Sequence, residues 1–151
     1  RVGRRQSYPL ALTRSGRQSA PRAVVIGNAA QGLHPVAGQG FNLGLRDVAT
    51  LAEVLADAIA EYGPTVDPGS QQVLERYTRW RQPDRQAVIR FTDTLVRGFG
   101  QPFAPLRAAR ATGLLLFDLL GPVKREFARR TMGLAGRLPR LVRGLPLVVR
   151  A

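Results

Sequence analysis

The sequence predicts an α/β fold in which helices predominate, and three observations support this class. Residues 23–27 (AVVIG) form a continuous β-branched apolar run, which is typical of a strand buried on both faces, as in a parallel sheet. A glycine-rich junction then joins this run to a helical pattern that begins near Phe41. Helical periodicity continues, with breaks at proline and glycine, through most of the remaining chain.

A short edge strand is expected ahead of the apolar run. Residues 7–12 (SYPLAL) are a strand candidate, and Pro9 restricts that strand to an edge or a bulge. The polar residues 13–22 then predict a turn or a hairpin loop. The chain begins at Arg1, and its first residues resemble the interior of a longer chain, so we expect a fragment.

The first long helix is predicted from Phe41 to about Tyr62, because apolar and acidic residues recur there on opposite faces of a helix. Gly63 should cap its C-terminus, and Pro64 forbids continuation. The predicted apolar positions are Leu45, Val48, Leu51 (or Ala52), Leu55 and Ile59, and the acidic positions are Glu53, Asp57 and Glu61.

More helices are predicted after a break at residues 63–70. One runs from about Gln71 to Arg97, and Pro83 should kink or restart it. A further helix is predicted over residues 106–122, and the basic tail after it should form short helical pieces interrupted by proline. The predicted apolar side of the helix from Gln71 consists of Leu74, Tyr77, Trp80 (or Arg81), Val88, Phe91 and Leu95.

The composition favours some classes of binding partner and excludes some kinds of site. The net charge is +13, and nearly all of the cations are arginines, since Lys124 is the only lysine. Such a balance predicts a polyanionic partner, namely nucleic acid, an anionic membrane or acidic protein, unless the charge is spread over solvated surface. One histidine and no cysteine exclude disulfides and an ordinary zinc site within these residues. No apolar run is long enough to span a bilayer.

The glycine-rich junction has the character of a ligand site. A helix N-terminus presents unpaired backbone N–H groups and a positive dipole end, and glycines there let a ligand approach the main chain. Gly38, Gln39 and Gly40 directly precede the helix, and Asn28 follows the end of the predicted strand. An anionic or electron-rich ligand edge is therefore expected, the alternative being a tight turn. Neither a Walker loop nor a G-x-G-x-x-G motif is present.

The stretch from residue 26 to residue 55 (IGNAAQGLHPVAGQGFNLGLRDVATLAEVL) resembles the second FAD-binding motif of class A flavoprotein monooxygenases, the p-hydroxybenzoate-hydroxylase-like family. Within that family it is most similar to the aromatic-ring hydroxylases of ubiquinone biosynthesis. Residues 7–15 (SYPLALTRS), 76–99 (RYTRWRQPDRQAVIRFTDTLVRGF) and 124–133 (KREFARRTMG) resemble the same subfamily.

The resemblance implies a division of the chain. Residues 1–20 would end a substrate-domain sheet, residues 21–63 would form the C-terminal strand-turn-helix of the FAD-binding domain, and residues 64–151 would form a helical region with a basic tail. The fold would be the C-terminal part of a p-hydroxybenzoate-hydroxylase-like domain. The ADP-binding half and most of the substrate sheet are missing from these residues, so the chain alone is expected to hold FAD weakly.

The resemblance also implies site residues. Asn28 stands where most members have an aspartate that hydrogen-bonds the ribityl chain, and its side-chain oxygen can still accept that bond. The backbone of residues 38–42 would meet the pyrimidine edge of the flavin, whose electron-rich N1–C2=O group a helix N-terminus stabilises. The implied cofactor-binding residues are Gly27, Asn28, Gln31, Pro35, Gly38, Gln39, Gly40, Phe41 and Asn42.

Pro35 and His34 are the catalytic candidates. The resemblance places the Pro35 carbonyl in the lining of the ring site above the flavin. His34 is either a general base with a pKa near neutrality or, as we favour, a residue that lines or positions the loop. For Arg46 and Asp47 we expect a local ion pair rather than a catalytic role.

The function implied is an FAD-dependent monooxygenase that hydroxylates the ring of a polyprenylated phenol in ubiquinone biosynthesis, with NAD(P)H as reductant and O₂ as co-substrate. The implied location is cytoplasmic and peripheral to a bacterial inner membrane. A biosynthetic protein complex and a homo-oligomer are compatible with it, and nucleic acid is not expected. The alternative is a basic helical module that binds membrane, protein or nucleic acid.

The basic tail is the expected membrane contact. Residues 124–150 mix clustered arginines with apolar side chains that can enter a bilayer interface while the arginines meet anionic headgroups. The alternative is an arm that packs on its own domain or on a neighbouring subunit. The apolar side chains of the tail are Phe127, Met132, Leu134, Leu138, Leu141, Leu145 and Leu147.

Overall fold

The computed structural model describes residues 3–7, 11–33, 38–100 and 104–147. Four short strands are present: β1 (Thr13–Arg14), β2 (Ser19–Ala20), β3 (Ala23–Val24) and β4 (Gln31–Gly32). The helices are α1 (Gly27–Ala30), α2 (Gln39–Tyr62), α3 (Gln71–Gly100), α4 (Ala104–Leu119) and α5 (Gly121–Thr131), and a 3-10 turn spans Leu141–Arg143. The expected predominance of helix is confirmed.

The strands form two antiparallel pairs. β1 pairs with β4, and β2 pairs with β3 as a tight hairpin that turns at Pro21 and Arg22. The expected strand over residues 7–12 does not form at 11–12, and residues 8–10 lie outside the described part of the chain. A hairpin does occur within residues 13–24, close to where a turn is predicted.

The prediction of a doubly buried strand over residues 23–27 is wrong for the described residues. Only Ala23 and Val24 are strand, and Ala23 is exposed. Val24 and Ile26 pack on one side against the core between α2 and α3, and no parallel strand among the described residues covers the other side. Gly27 then opens α1 with a positive φ of 59°, which ends the extended run.

Helix α2 begins two residues earlier than predicted and ends where predicted, but it buries a different face. Gly63 caps it with φ 84°, and its N–H donates to the Ile59 carbonyl at 2.9 Å, which confirms the predicted C-cap. Leu45 and Val48 are about half exposed, so the predicted apolar face is uncovered at its start. The buried positions of α2 are Gln39, Leu43, Arg46, Asp47, Ala49, Thr50, Glu53, Val54 and Ala58.

The core lies where α2 and α3 pack together. Val54 and Ala58 of α2 meet Val73 and Tyr77 of α3, and each of these residues is almost fully buried. Burial of each such apolar side chain contributes roughly 1.5–3 kcal/mol. α3 runs through Pro83 as one continuous helix, so of the two predicted outcomes, a kink or a restart, the restart does not occur. Proline lacks one N–H donor, and the packing of α3 on α2 keeps the rest of the helix in place.

The chain after α5 folds back over α2 and α3. The Trp80 indole N–H donates to the Arg137 carbonyl at 3.2 Å, and the Arg137 guanidinium stacks over the Trp80 ring at 3.7 Å. Arg140 pairs with Glu53 and Asp57 of α2. Short helical pieces are confirmed for the tail, and Arg137 and Arg140 contact α3 and α2 of their own domain. We call residues 132–143 the return arm.

Candidate functional site

The start of α2 offers an accessible backbone. Gly38 is the N-cap with φ 62°, a left-handed conformation that glycine adopts without strain. The first turn carries no acidic side chain that would compete for its N–H groups. Gly38, Phe41 and Asn42 are exposed, and Phe41 is 74% exposed. An anionic or electron-rich group can therefore reach the positive end of α2.

Asn28 lies beside this turn. A Cβ added at Gly40 would stand 3.5 Å from Asn28 Oδ1, so the side chain of Asn28 reaches the first turn of α2. Asn28 is itself exposed, and none of the described residues forms a hydrogen bond with its amide. The structure thus brings together two residues that the sequence places twelve positions apart. A free acceptor and an open helix N-terminus therefore lie side by side.

Two glutamines of the predicted site point elsewhere. Gln31 is nearly fully buried in β4. Gln39 is also buried, and its Nε2 donates to the Thr131 carbonyl of α5 at 2.7 Å. The side chain of Gln39 therefore ties the first turn of α2 to the end of α5, and only its backbone remains for a cofactor. His34 and Pro35 lie outside the described residues.

Asp47 holds the two halves of the site together. It is fully buried, and its Oδ2 accepts the Gly27 N–H at 3.0 Å, which fixes the start of α1 against α2. α1 also packs closely on α2 at Gly44, where an added Cβ would stand at contact distance, 3.5 Å, from Gly27 Cα. Asp47 Oδ1 accepts Arg81 Nε at 2.7 Å and lies 3.5 Å from Arg85 Nη2. Asn28 is therefore positioned through Asp47 and the arginines of α3.

The expected local ion pair between Arg46 and Asp47 is wrong. Arg46 Nη1 binds both oxygens of Asp84 at 2.6 and 2.8 Å, while Asp47 faces α3 through Arg81. Neighbouring residues on a helix point about 100° apart, so each of the two finds its own partner. Burial lowers the pKa of Arg46, and the ion pair with Asp84 opposes this.

Sequence reasoning missed Arg81, Asp84 and Arg85 as parts of this network. Burial lowers the pKa of Arg81, but its hydrogen bond to Asp47 and the charge of Asp84 outweigh burial and leave the pKa raised. One signal was present in the sequence: Arg81 occupies a core-facing position of α3, where an arginine requires a buried acid. The sequence alone does not identify that acid as Asp47, thirty-four positions away.

A cavity of about 480 Å³ lies behind the first turn of α2, between α3, α5 and the return arm. Its walls include the apolar side chains of Val88, Phe91 and Phe127. Of the described residues predicted to bind cofactor, Gln39 alone lines it, so the cavity and the exposed turn are separate surfaces. Within the described ranges no helix is long and apolar enough to cross a membrane, and no cluster of acidic residues could hold a metal ion.

Comparison with known proteins gives the family. Residues 4–92 match the FAD binding domain family model. The ubiquinone hydroxylase UbiL of Rhodospirillum rubrum is 45% identical over 149 residues, which cover 97% of this chain and 34% of that protein. The 3-demethoxyubiquinol 3-hydroxylase of Escherichia coli is 35% identical over 128 residues, which cover 85% of this chain and 32% of that protein.

A eukaryotic relative extends the similarity. The ubiquinone biosynthesis monooxygenase COQ6 of Saccharomyces cerevisiae is 38% identical over 120 residues, which cover 80% of this chain and 24% of that protein. The chain thus spans about a third or less of the length of these curated relatives. The resemblance noted in the sequence is confirmed: this chain belongs to the FAD binding domain family, and it is similar to proteins named for hydroxylation in ubiquinone biosynthesis.

Proposed function

We propose that the protein containing this chain is an FAD-dependent monooxygenase that hydroxylates the aromatic ring of a polyprenylated phenol. The observation that carries the proposal is the juxtaposition of Asn28 with the open first turn of α2 in a member of the FAD binding domain family. The relatives named for ubiquinone hydroxylation supply the substrate class. The fold of the whole protein would be p-hydroxybenzoate-hydroxylase-like.

Each described part of the site has a role in this function. Asn28 would accept a hydrogen bond from a ribityl hydroxyl, and the N–H groups of residues 38–42 would donate to the electron-rich edge of the flavin ring. The bound flavin, reduced by NAD(P)H, supplies the chemistry that activates O₂. Pro35 and His34 would line the ring site above the flavin.

The test is a turnover assay on the full-length protein. We expect a yellow protein that oxidises NADH or NADPH, consumes O₂ and adds one oxygen atom to a polyprenylated phenol, as detected by mass spectrometry. Assays with NADH and with NADPH in parallel identify the reductant. A protein that purifies without flavin and fails to take it up, or one that oxidises NAD(P)H with no phenol product, would contradict the proposal.

We further propose that the protein works at the surface of the inner membrane, where a polyprenylated substrate resides. Since the return arm holds Arg137 and Arg140 against α2 and α3, the proposed contact moves to α4 and α5. The edge-to-face contact of Phe117 with Phe127, at 5.2 Å, anchors one side of α4. Leu115 and Leu119 lie on the opposite side and are 68% and 79% exposed.

The exposed charges of α5, the next helix, also suit anionic lipid. Arg125 and Arg129 of α5 are exposed, and neither forms an ion pair with a carboxylate of the described residues. Asp118 and Glu126, in contrast, are each paired with a cation of α5. Apolar side chains beside free arginines are the composition of an interfacial segment. As further proposals, the same exposed leucines contact either another protein of a ubiquinone-biosynthesis complex or a second copy of this protein.

A further inference from the structure

The ion-pair network between α2 and α3 contains one more cation than it has carboxylates to pair with. Three guanidinium groups, those of Arg46, Arg81 and Arg85, share two carboxylates, those of Asp47 and Asp84. All three arginine side chains are at least 93% buried. The network therefore carries a net charge of +1 in the protein interior, where an uncompensated ion costs several kcal/mol.

Arg85 is the surplus cation. The shortest ion pairs go to Arg46 and Arg81, at 2.5–2.8 Å, whereas Arg85 Nη2 lies 3.5 Å from an Asp47 oxygen that Arg81 already occupies. The other contact of Nη2 is the neutral Tyr77 hydroxyl, at 3.4 Å. Nε and Nη1 of Arg85 have no hydrogen-bond partner among the described residues. A buried guanidinium with two unused donors requires an acceptor.

A cavity adjoins this arginine. It has a volume of about 230 Å³ and lies between α3 and the segment that joins β1 to β2. A second arginine, Arg14, lines it, and Arg14 forms no ion pair within the described ranges. No carboxylate is among its described lining residues, whose other polar groups are hydroxyls and amides. These polar lining residues are Ser15, Gln18, Thr78, Gln82 and Gln86.

We propose that this cavity binds a small oxyanion of the phosphate class, with Arg85 as its buried anchor and Arg14 at its rim. The volume exceeds that of one phosphate group, whose remaining oxygens can accept from the glutamine amides and water. A monoanion brings the charge of the buried network to zero, and a dianion does so together with Arg14. Free phosphate and the phosphate of a nucleotide share this chemistry, and the experiment distinguishes them.

The test is thermal unfolding of the full-length protein at constant ionic strength, with phosphate replacing chloride. For the wild type we expect the midpoint temperature to rise with phosphate concentration, because a ligand of the native state stabilises it. For Arg85→Gln, we expect a midpoint in chloride at least as high as that of the wild type, since the variant network is neutral. The phosphate-dependent rise should vanish.

Direct binding measurements with control variants test whether phosphate binds in this cavity. In calorimetric titration with inorganic phosphate, Arg85→Gln should weaken binding at least tenfold, roughly the effect of lost hydrogen bonds to a charged group. Arg14→Gln at the rim should weaken it about fivefold. Arg79→Gln removes an arginine of α3 whose side chain is 70% exposed, and it should bind phosphate like the wild type. Repeating the titration with ADP shows whether a nucleotide phosphate is the source.

Two outcomes would overturn the proposal. If Arg85→Gln lowers the midpoint equally in chloride and phosphate, Arg85 is a structural residue that a carboxylate of the protein itself neutralises. If phosphate raises the midpoints of wild type, Arg85→Gln and Arg79→Gln alike, the anion acts on the general positive charge and not in this cavity.

Discussion

At the scale of single residues, the site depends on a few short contacts whose loss has calculable effects. Asn28 is the clearest, because its amide faces the first turn of α2 and is otherwise unpaired among described residues. Asn28→Leu should leave a ribityl hydroxyl without its acceptor and weaken FAD binding by about 1–3 kcal/mol, measured by flavin fluorescence quenching. Asn28→Asp, which keeps an acceptor, serves as the control. Equal FAD affinity in all three proteins would refute the assignment.

The lack of a side chain at Gly40 determines how closely a ligand can approach the first turn of α2. An added Cβ would make only an ordinary contact, 3.5 Å from Asn28 Oδ1, so the protein should tolerate a larger side chain while the ligand does not. We expect Gly40→Val to fold and to lose FAD. Gly98→Val carries the same substitution in α3, where a Cβ meets nothing within 4 Å, and should keep its FAD. A fully flavinated Gly40→Val protein with normal turnover would show that the flavin does not contact this backbone.

Asp47 is the residue on which the buried network depends. Asp47→Asn removes the charge that Arg81 and Arg85 share and keeps the size of the side chain. Breaking a buried ion pair from one side costs about 3–5 kcal/mol, so denaturant unfolding should show a loss of that order. Asp67→Asn, which breaks an exposed pair with Arg22, should cost less than about 1 kcal/mol. If the two variants lost similar amounts of unfolding free energy, the buried Asp47 ion pairs would contribute no more stability than the exposed Asp67 pair.

Tyr77 predicts a pH dependence. Burial, together with the charge of Asp47, raises the pKa of its hydroxyl from 10.0 to about 12. The unfolded state therefore loses its proton first, and stability present below pH 10 should fall as the pH rises from 10 towards 12. Unfolding free energies measured across this range should show a smaller decline for Tyr77→Phe. An identical decline in both proteins would assign it to other groups.

At the scale of elements, the return arm couples the tail to α2. Arg140 Nε lies 3.3 Å from Glu53, a nearly buried carboxylate, and the same guanidinium pairs with Asp57. Gln39 adds a second tie, because it binds the Thr131 carbonyl at the end of α5. The arm therefore braces the helix whose first turn is proposed to meet the flavin.

Removal of this brace should have a local and measurable effect. Arg140→Ala should leave Glu53 without its cation, destabilise the protein by about 1–3 kcal/mol and increase amide hydrogen exchange in residues 132–143. Arg143→Ala lies in the same arm, but its exposed side chain forms no ion pair with a described residue, so it should change neither quantity. Unaltered exchange in Arg140→Ala would mean that other contacts hold the arm.

At the scale of the whole molecule, exposed leucines and free arginines on α4 and α5 predict membrane docking. Flotation of the full-length protein with vesicles should require an anionic lipid, phosphatidylglycerol in phosphatidylcholine, and weaken with salt. The double variant Leu115→Glu/Leu119→Glu should lose this binding, whereas Leu141→Glu in the return arm should keep it. If only the Leu141→Glu variant lost vesicle binding, the membrane contact would lie in the tail. Equal, negligible binding to neutral and anionic vesicles would remove it altogether.

The sequence by itself determined the family, the long helices and the glycine-rich first turn of α2. These depend on local patterns: the apolar period of α2 and α3, the cap at Gly63, and the glycine at position 38, whose positive φ few other residues adopt. The alternation of apolar and polar residues did not determine which side chains of each helix are buried against its neighbours. It placed Leu45 and Val48 on the buried face, whereas α2 buries Asp47 and Thr50.

Only the tertiary structure decided the charge network and the course of the tail. Asp47 binds Arg81 across thirty-four positions, and Arg140 binds Glu53 across eighty-seven, whereas local spacing pairs Asp47 with Arg46. An ion pair between distant residues is set by how helices pack, and the free energy of burial, not the nearest charge, selects it. The same packing leaves Arg85 without a full partner among the described residues and beside a cavity, a consequence that no stretch of the sequence contains.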